Sequence, residues 1–132
     1  FTSDIYRIAD MIRDQRDIKV IAVKDYITYP KASGYKSYHM IVSIPVYLSD
    51  RTVDTKVEVQ IRTVAMDFWA SLEHKIHYKF EGDAPENIKN ELVECARMVS
   101  DLDARMLSLN EEILAISKKR EEEKQLNSGT SK

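Results

Sequence analysis

Cysteine occurs once in the 132 residues, at Cys95. An internal disulfide is therefore excluded, and no Cys/His spacing suggests zinc. A reducing compartment, the cytoplasm, is the expectation. Charge of one sign is also scarce: 20 Lys and Arg against 22 Asp and Glu leave a net charge of −2. No global field draws the molecule to nucleic acid or to an acidic membrane, so any polyanion site must be a local cluster of Lys, Arg and His. No apolar run reaches the roughly 18 residues that a bilayer span needs. The chain opens at Phe1, without a methionine and without a charged-then-apolar leader. It is expected to be a piece of a longer protein, with part of the active site upstream.

What is present suits one domain with a real core: 43% hydrophobic and 32% charged residues. Ile5, Ile8, Ala9 and Ile12 recur at helical spacing, which predicts a short amphipathic helix over Asp4 to Arg16. Lys19 to Ile27 is rich in β-branched residues and predicts a strand. Pro30, Ser33 and Gly34 break the chain into a loop. From Tyr35 to Leu48 the residues alternate, Tyr38, Met40, Val42 and Ile44 on one face and Tyr35, Ser37, His39, Ile41 and Ser43 on the other. A turn at Ser49, Asp50 and Arg51 leads to a strand over Thr55 to Arg62. It buries Val57, Val59 and Ile61 and presents Glu58, Gln60 and Arg62. Two such strands side by side would build one polar floor.

Thr63 is the predicted N-cap of a helix running to about Tyr78, with Ala65, Phe68, Trp69, Leu72 and Ile76 as its apolar stripe. Gly82 and Pro85 end it. Ile88, Leu92, Cys95, Val99, Leu102, Met106, Leu109, Ile113 and Ile116 then alternate spacings of four and three, the mark of a long helix with a seam to bury. Past Lys118 the chain turns charged and then Ser/Gly-rich, and fraying is expected.

The residues that carry chemistry cluster in the first 80. Gly34 lets the backbone approach a ligand, and the Tyr35 ring after it can stack on a base. Lys31 and His39, four residues to either side of Tyr35, can reach phosphate oxygens. The alternative is a hairpin with ordinary surface side chains. Glu58 is a candidate general base for a sugar hydroxyl, or else a solvated residue paired with Lys56 or Arg62. Glu73 projects beside the apolar stripe of its helix, where a bare carboxylate is costly unless donors such as guanine N1–H and N2–H satisfy it. Asp67 lies in the first helical turn, where negative charge is favourable, and helical geometry sets it apart from Glu73. His74 and His77 have no third ligand nearby in sequence.

Three linked motifs, Tyr-Pro-Lys-x-x-Gly-Tyr-x-Ser-x-His at 29–39, Val-Glu-Val-Gln-Ile-Arg-Thr at 57–63 and Ala-Met-Asp-Phe-Trp-Ala-Ser-Leu-Glu-His-Lys at 65–75, resemble the RelA/SpoT synthetase domain. The resemblance is closer still to the small, stand-alone alarmone synthetases of bacteria. It implies an α+β fold, a mixed β-sheet flanked by helices of nucleotidyltransferase-like type, with a long C-terminal helix. Residues 1–80 would be the C-terminal part of the synthetase domain, 81–126 an oligomerisation helix and 127–132 a flexible tail.

The implied activity is transfer of pyrophosphate from ATP to the 3′-hydroxyl of GDP or GTP in the stringent response, giving (p)ppGpp and AMP, with Mg2+ as cofactor. By motif, Tyr35 would stack on guanine, Lys31 and His39 would hold the acceptor's phosphates, and Glu58 would activate the hydroxyl. Asp67 and Glu73 would line the guanine pocket, with Gln60 and Lys24 as neighbours. The main Asp ligand of the metal would lie upstream, Glu58 being a further candidate. A homotetramer is expected, a dimer being the alternative, with no membrane partner. The rival readings are a silent guanine-nucleotide- or RNA-binding module and a mainly structural assembly element.

Overall fold

The computed structural model describes residues 1–130 as six elements: α1 (Thr2–Arg13), β1 (Lys19–Asp25), β2 (Tyr38–Tyr47), β3 (Thr52–Ile61), α2 (Val64–Lys79) and α3 (Glu86–Thr130). The α+β class with a long C-terminal helix holds. The sheet is antiparallel throughout, in the order β1-β2-β3. No parallel pair occurs among the described residues, because neither connection between the strands is a crossover of the kind that parallel pairing needs.

Strand β2 is central and has two different faces. Tyr38, Met40 and Val42 are buried against Ile5 and Ala9 of α1 and Met66 of α2, with Val57, Val59 and Ile61 of β3 packed around them. Burying one such side chain fully is worth about 1.5–3 kcal/mol, so this face decides which way the strand lies. Ile8, expected in the α1 stripe, is exposed, since Ile5 and Ala9 already fill the width that the sheet offers.

The opposite face carries Lys24, His39 and Gln60 in register across all three strands, with Glu58 opposite Ile41. One irregularity makes this possible. Val20 pairs with Val42 on the core side, and strict alternation would put Lys24 on that side too. A bulge between Val20 and Ala22 takes up Ile21 as an extra residue, so Ala22 pairs with Ile41 and Lys24 with His39. The single inserted residue moves Lys24 from the core side to the polar floor.

Thr63 caps α2 as expected, its hydroxyl accepting from Met66 N at 3.1 Å and donating to Asp103 Oδ2 at 2.8 Å. Helix α2 buries Met66, Trp69 and Ala70 with Ile76 packed beside them, so Trp69 and Ile76 of the expected stripe hold while Phe68 and Leu72 are exposed. Phe68 is 76% exposed. The reason is α3: Leu92 and Ala96 approach the Trp69 side, and Trp69 Nε1 donates to Leu92 O at 2.9 Å. Gly82, with φ +84°, closes the end of α2 through a bond from its N–H to His77 O.

Helix α3 has 45 residues, a length of about 68 Å at 1.5 Å per residue. The segment expected as a tail is helical as far as Thr130, nothing in Asn127–Gly129 being a proline; residues 131 and 132 lie outside the described residues. Cys95, placed in the seam by its spacing, is exposed, and Ala96 takes the buried position beside it.

Asp25 ends β1 and organises the turn after it. Its carboxylate accepts from Ile27 N, Thr28 N, the Thr28 hydroxyl and the Tyr6 hydroxyl at 2.8–3.0 Å. Burial pushes its pKa up, but these bonds to the charged form outweigh it and leave the group below its ordinary value of 3.8. A carboxyl with a depressed folded pKa contributes stability above its unfolded pKa and loses it as pH falls through the folded one. Asp25→Ala should therefore cost about 1.5–3 kcal/mol at neutral pH. Urea denaturation should also show the variant's deficit shrinking as pH drops below 3.8.

Candidate functional site

Residues 26–37 join β1 to β2 and carry the aromatic part of the site. The loop is closed at its base by Tyr26 N–H donating to Ser37 O at 2.9 Å, and folded within by Gly34 N–H to Lys31 O at 2.9 Å and Lys31 N–H to Tyr35 O at 3.1 Å. Gly34 has φ +97°, and a Cβ there would stand 2.6 Å from Ala96 Cβ. Only glycine fits both the backbone angle and the close approach to α3. Lys36 adds a hydrogen bond from its ammonium to the Ser100 hydroxyl. The loop is thus seated on the long helix rather than free in solvent.

Tyr35 lies in this loop and not in β2, which begins at Tyr38. Its hydroxyl nevertheless reaches the sheet: His39 Nε2 is 3.1 Å away, Gln60 Oε1 3.4 Å, and the buried Ser37 hydroxyl donates to it at 3.1 Å. His39 Nδ1 is 3.3 Å from Glu58 Oε1. Glu58 therefore pairs with His39 across the strands and not with Lys56 or Arg62. Burial pushes the His39 pKa below its ordinary value; Glu58 pulls it back, and Lys31 and Lys24 push it further down. The ring is neutral at neutral pH, and both of its nitrogens are engaged within the protein.

Lys31 stands with its ammonium 4.9 Å from the Tyr26 ring centre and 5.2 Å from that of Tyr35. Tyr26 meets His39 edge-on at 5.2 Å and Tyr35 at 6.2 Å. Sequence reasoning leaves Tyr26 out, because nothing local links it to Tyr35; the bond to Ser37 O brings it in. Ser37 is likewise legible in the sequence only as a face residue. The signal for it is its position two residues after Tyr35, at the start of an alternating strand.

Beside the loop is an open cleft of about 1030 Å³, walled by Lys31, Tyr35, Gln60, Arg62 and Glu73 together with the facing sides of α2 and α3. Glu73 is half-buried there and has no hydrogen-bond or ion-pair partner among the described residues, which leaves its carboxylate for donors from a ligand. Asp67 is not part of the cleft wall; it is tied to Arg62 Nε at 3.1 Å. Of the expected residues, the structure joins Tyr35, His39 and Glu58 in one hydrogen-bonded series, with Gln60 Oε1 3.4 Å from the Tyr35 hydroxyl and Lys24 in register beside them. Lys31 and Glu73 belong to the cleft.

The arrangement can hold a planar base between an aromatic ring and a carboxylate, with cations for attached phosphates and a second carboxylate on an adjoining floor. The family model for a region found in RelA / SpoT proteins matches residues 1–83. The chain is 47% identical over 113 residues to GTP pyrophosphokinase YwaC of Bacillus subtilis (strain 168), a match covering 86% of this chain and 54% of that protein.

The crystal structure of small alarmone synthetase 2 from Bacillus subtilis superposes with a TM-score of 0.83 at 47% identity, covering 85% of this chain and 61% of that one. That of small alarmone synthetase 1 from the same organism, bound to its product pppGpp, gives 0.83 at 38%, covering 86% and 58%. The chain spans about half the length of the curated relatives it matches.

Seating of the loop on α3 is open to a coupling measurement. Gly34→Ala should destabilise the fold by about 1–3 kcal/mol through backbone strain and the clash with Ala96. Ala96→Gly alone should cost about 1 kcal/mol as a helix glycine. In urea denaturation the double variant should be more stable than the sum of the two losses, since the clash is then relieved and only the strain of the left-handed backbone remains.

Proposed function

The chain belongs to the RelA/SpoT family, and on that premise we propose that it carries the acceptor-side part of a GTP pyrophosphokinase. In this reading the 3′-oxygen of GDP or GTP attacks the β-phosphorus of ATP. The bond between the α-phosphate and the β-phosphorus breaks, AMP leaves, and the hydroxyl proton passes to Glu58. The observation that carries the proposal is the continuity of the two halves of the site. Tyr35 and Gln60 wall the cleft, and the same Tyr35 hydroxyl is hydrogen-bonded to His39, the partner of Glu58. A base stacked on Tyr35 thus has a carboxylate base within the same connected group of residues.

The residue roles follow from what each group offers. The Tyr35 ring stacks on guanine, and Glu73 takes the two donors of the guanine edge. Lys31 and Lys24 supply the positive charge that a chain of net charge −2 must gather locally for phosphates. His39, neutral and doubly engaged, serves Glu58 more directly than it serves a phosphate. Asp67 acts through Arg62, which lines the cleft.

Magnesium is implied by the family. Among the described residues no three His, Cys, Asp or Glu side chains gather to hold a metal ion, and Glu58 is engaged by His39. Magnesium takes only one or two carboxylates beside phosphate oxygens and water, so its site would be completed by the phosphates of the nucleotides; the chemistry that the chain's own residues carry is nucleotide binding and proton removal. No described helix is long and apolar enough to cross a membrane; a cytoplasmic setting fits a reaction that consumes ATP and guanine nucleotides.

Assembly belongs to the same proposal. Leu102 and Leu109 are 54% and 55% exposed in the middle of the α3 stripe, and Met106, Ile113 and Ile116 are similarly open. A symmetric dimer or, in the favoured form, a tetramer would cover that stripe. Leu102→Glu combined with Leu109→Glu in the full-length protein should lower the mass seen by light scattering. A monomer before mutation would rule this assembly out.

Two substitutions in the full-length protein test the site. Glu58→Gln keeps the shape and removes the proton acceptor, so synthesis of the alarmone should fall by about 10²–10⁴-fold with GDP affinity unchanged. Tyr35→Ala should weaken GDP binding by about tenfold or more in calorimetry, the stacking term being on the order of 1–3 kcal/mol. Near-normal turnover in the first variant would make Glu58 structural, and unchanged affinity in the second would remove Tyr35 from the site.

A further inference from the structure

We propose that the Tyr35 hydroxyl, as distinct from its ring, is a positioning group: backed by Ser37, it locks His39 in the Nδ1–H form and thereby anchors one oxygen of Glu58. The proposal deepens the reading of Glu58 as the general base and rests on it. It starts from four groups in series, Ser37 Oγ, Tyr35 OH, His39 and Glu58, at successive distances of 3.1, 3.1 and 3.3 Å.

Hydrogen counting gives the series a direction. An ionised carboxylate only accepts, so the His39 nitrogen facing Glu58, Nδ1, must carry a proton. The neutral imidazole then has a bare Nε2, which only accepts, and the group within reach is the Tyr35 hydroxyl. Tyr35 has one hydrogen. Given to Nε2 at 3.1 Å, it is not available to Gln60 Oε1 at 3.4 Å, and the phenol oxygen is left to accept from Ser37. Ser37 is fully buried and donates its single hydroxyl hydrogen in that direction. Every proton in the series therefore points toward Glu58.

The exposures say why the carboxylate needs such a support. The Glu58 side chain is 59% exposed on an open strand face, whereas that of His39 is only 13% exposed. Left alone, a glutamate so placed samples several rotamers, and a base must sit within hydrogen-bond reach of its proton in the reactive geometry. His39 holds one carboxylate oxygen and leaves the other for the substrate hydroxyl. His39 in turn depends on a donor at Nε2, because without one the proton can shift to that nitrogen and the bond to Glu58 is lost.

Tyr35→Phe in the full-length protein separates the hydroxyl from the ring. Stacking is retained, so the GDP dissociation constant should stay within about twofold, while kcat falls by about tenfold or more, the scale of loss from a misplaced catalytic group. Nitrogen-15 NMR of labelled histidine reads the cause directly. The wild-type protein should show His39 with a bare Nε2 and a protonated Nδ1, and Tyr35→Phe should show a mixture of tautomers. Ser37→Ala should move both readouts the same way by less; should it fail to fold, Tyr35→Phe decides alone.

An unchanged kcat in Tyr35→Phe, or a wild-type tautomer in that variant, overturns the proposal. So does a loss of GDP affinity as large as in Tyr35→Ala, which would make the hydroxyl a ligand contact. Failure of the underlying reading looks different: Glu58→Gln would then keep its turnover, while the His39 tautomer still answers to Tyr35→Phe.

Discussion

Strand β2 is paired on both edges, and only one of its faces can join the core. That constraint governs the rest of the molecule. With Tyr38, Met40 and Val42 committed to α1 and Met66, His39 and Ile41 must face the other way, and the partners opposite them are set by register. A slip of one residue would bury His39 and expose Met40, exchanging a satisfied polar group for a desolvated one and opening the core. The apolar face therefore decides which side chains make up the polar floor.

The second support is α3. It walls one side of the cleft and supports the rest of the site through the loop of residues 26–37 and through α2. Gly34 lies against Ala96, Lys36 bonds Ser100, Trp69 bonds the Leu92 carbonyl, and Thr63 at the cap of α2 bonds Asp103. These contacts span residues 92–103, the half of α3 nearer its start. The exposed stripe starts within this span, at Leu102, and continues beyond it to Ile116. One helix thus connects the loop that bears Tyr35 to the exposed apolar stripe.

Charge is arranged locally in a chain with almost none to spare. Lys24 and Lys31 stand near His39 and help to keep it neutral, while Glu58 opposes them. Neutrality is what lets the imidazole accept at one nitrogen and donate at the other, so the cations that suit a phosphate also sustain the hydrogen-bond series behind the carboxylate. The bonds in the floor are individually modest, and their joint value lies in fixing one arrangement in an otherwise solvent-facing surface.

Much of this was legible in the residue order, because it follows from short-range rules. Alternation in 38–44 and 57–62 defined both strands and the polar floor, Thr63 before an apolar-periodic run defined the cap, and the four-three spacing after Ile88 defined a long helix with an apolar stripe. The motifs around Tyr35, Glu58 and Glu73 were legible for the same reason. What remained hidden depends on contacts between distant segments. The bulge at Ile21 that turns Lys24 to the floor is a register event between two strands, invisible in β1 alone. Phe68 rather than Trp69 is left outside because α3 chooses the face of α2. Asp67 turns to Arg62, and Glu58 to His39, because side chains select partners by distance in space. Local pattern determined which surfaces exist; packing of α1, α2 and α3 around one sheet decided which residues meet across them.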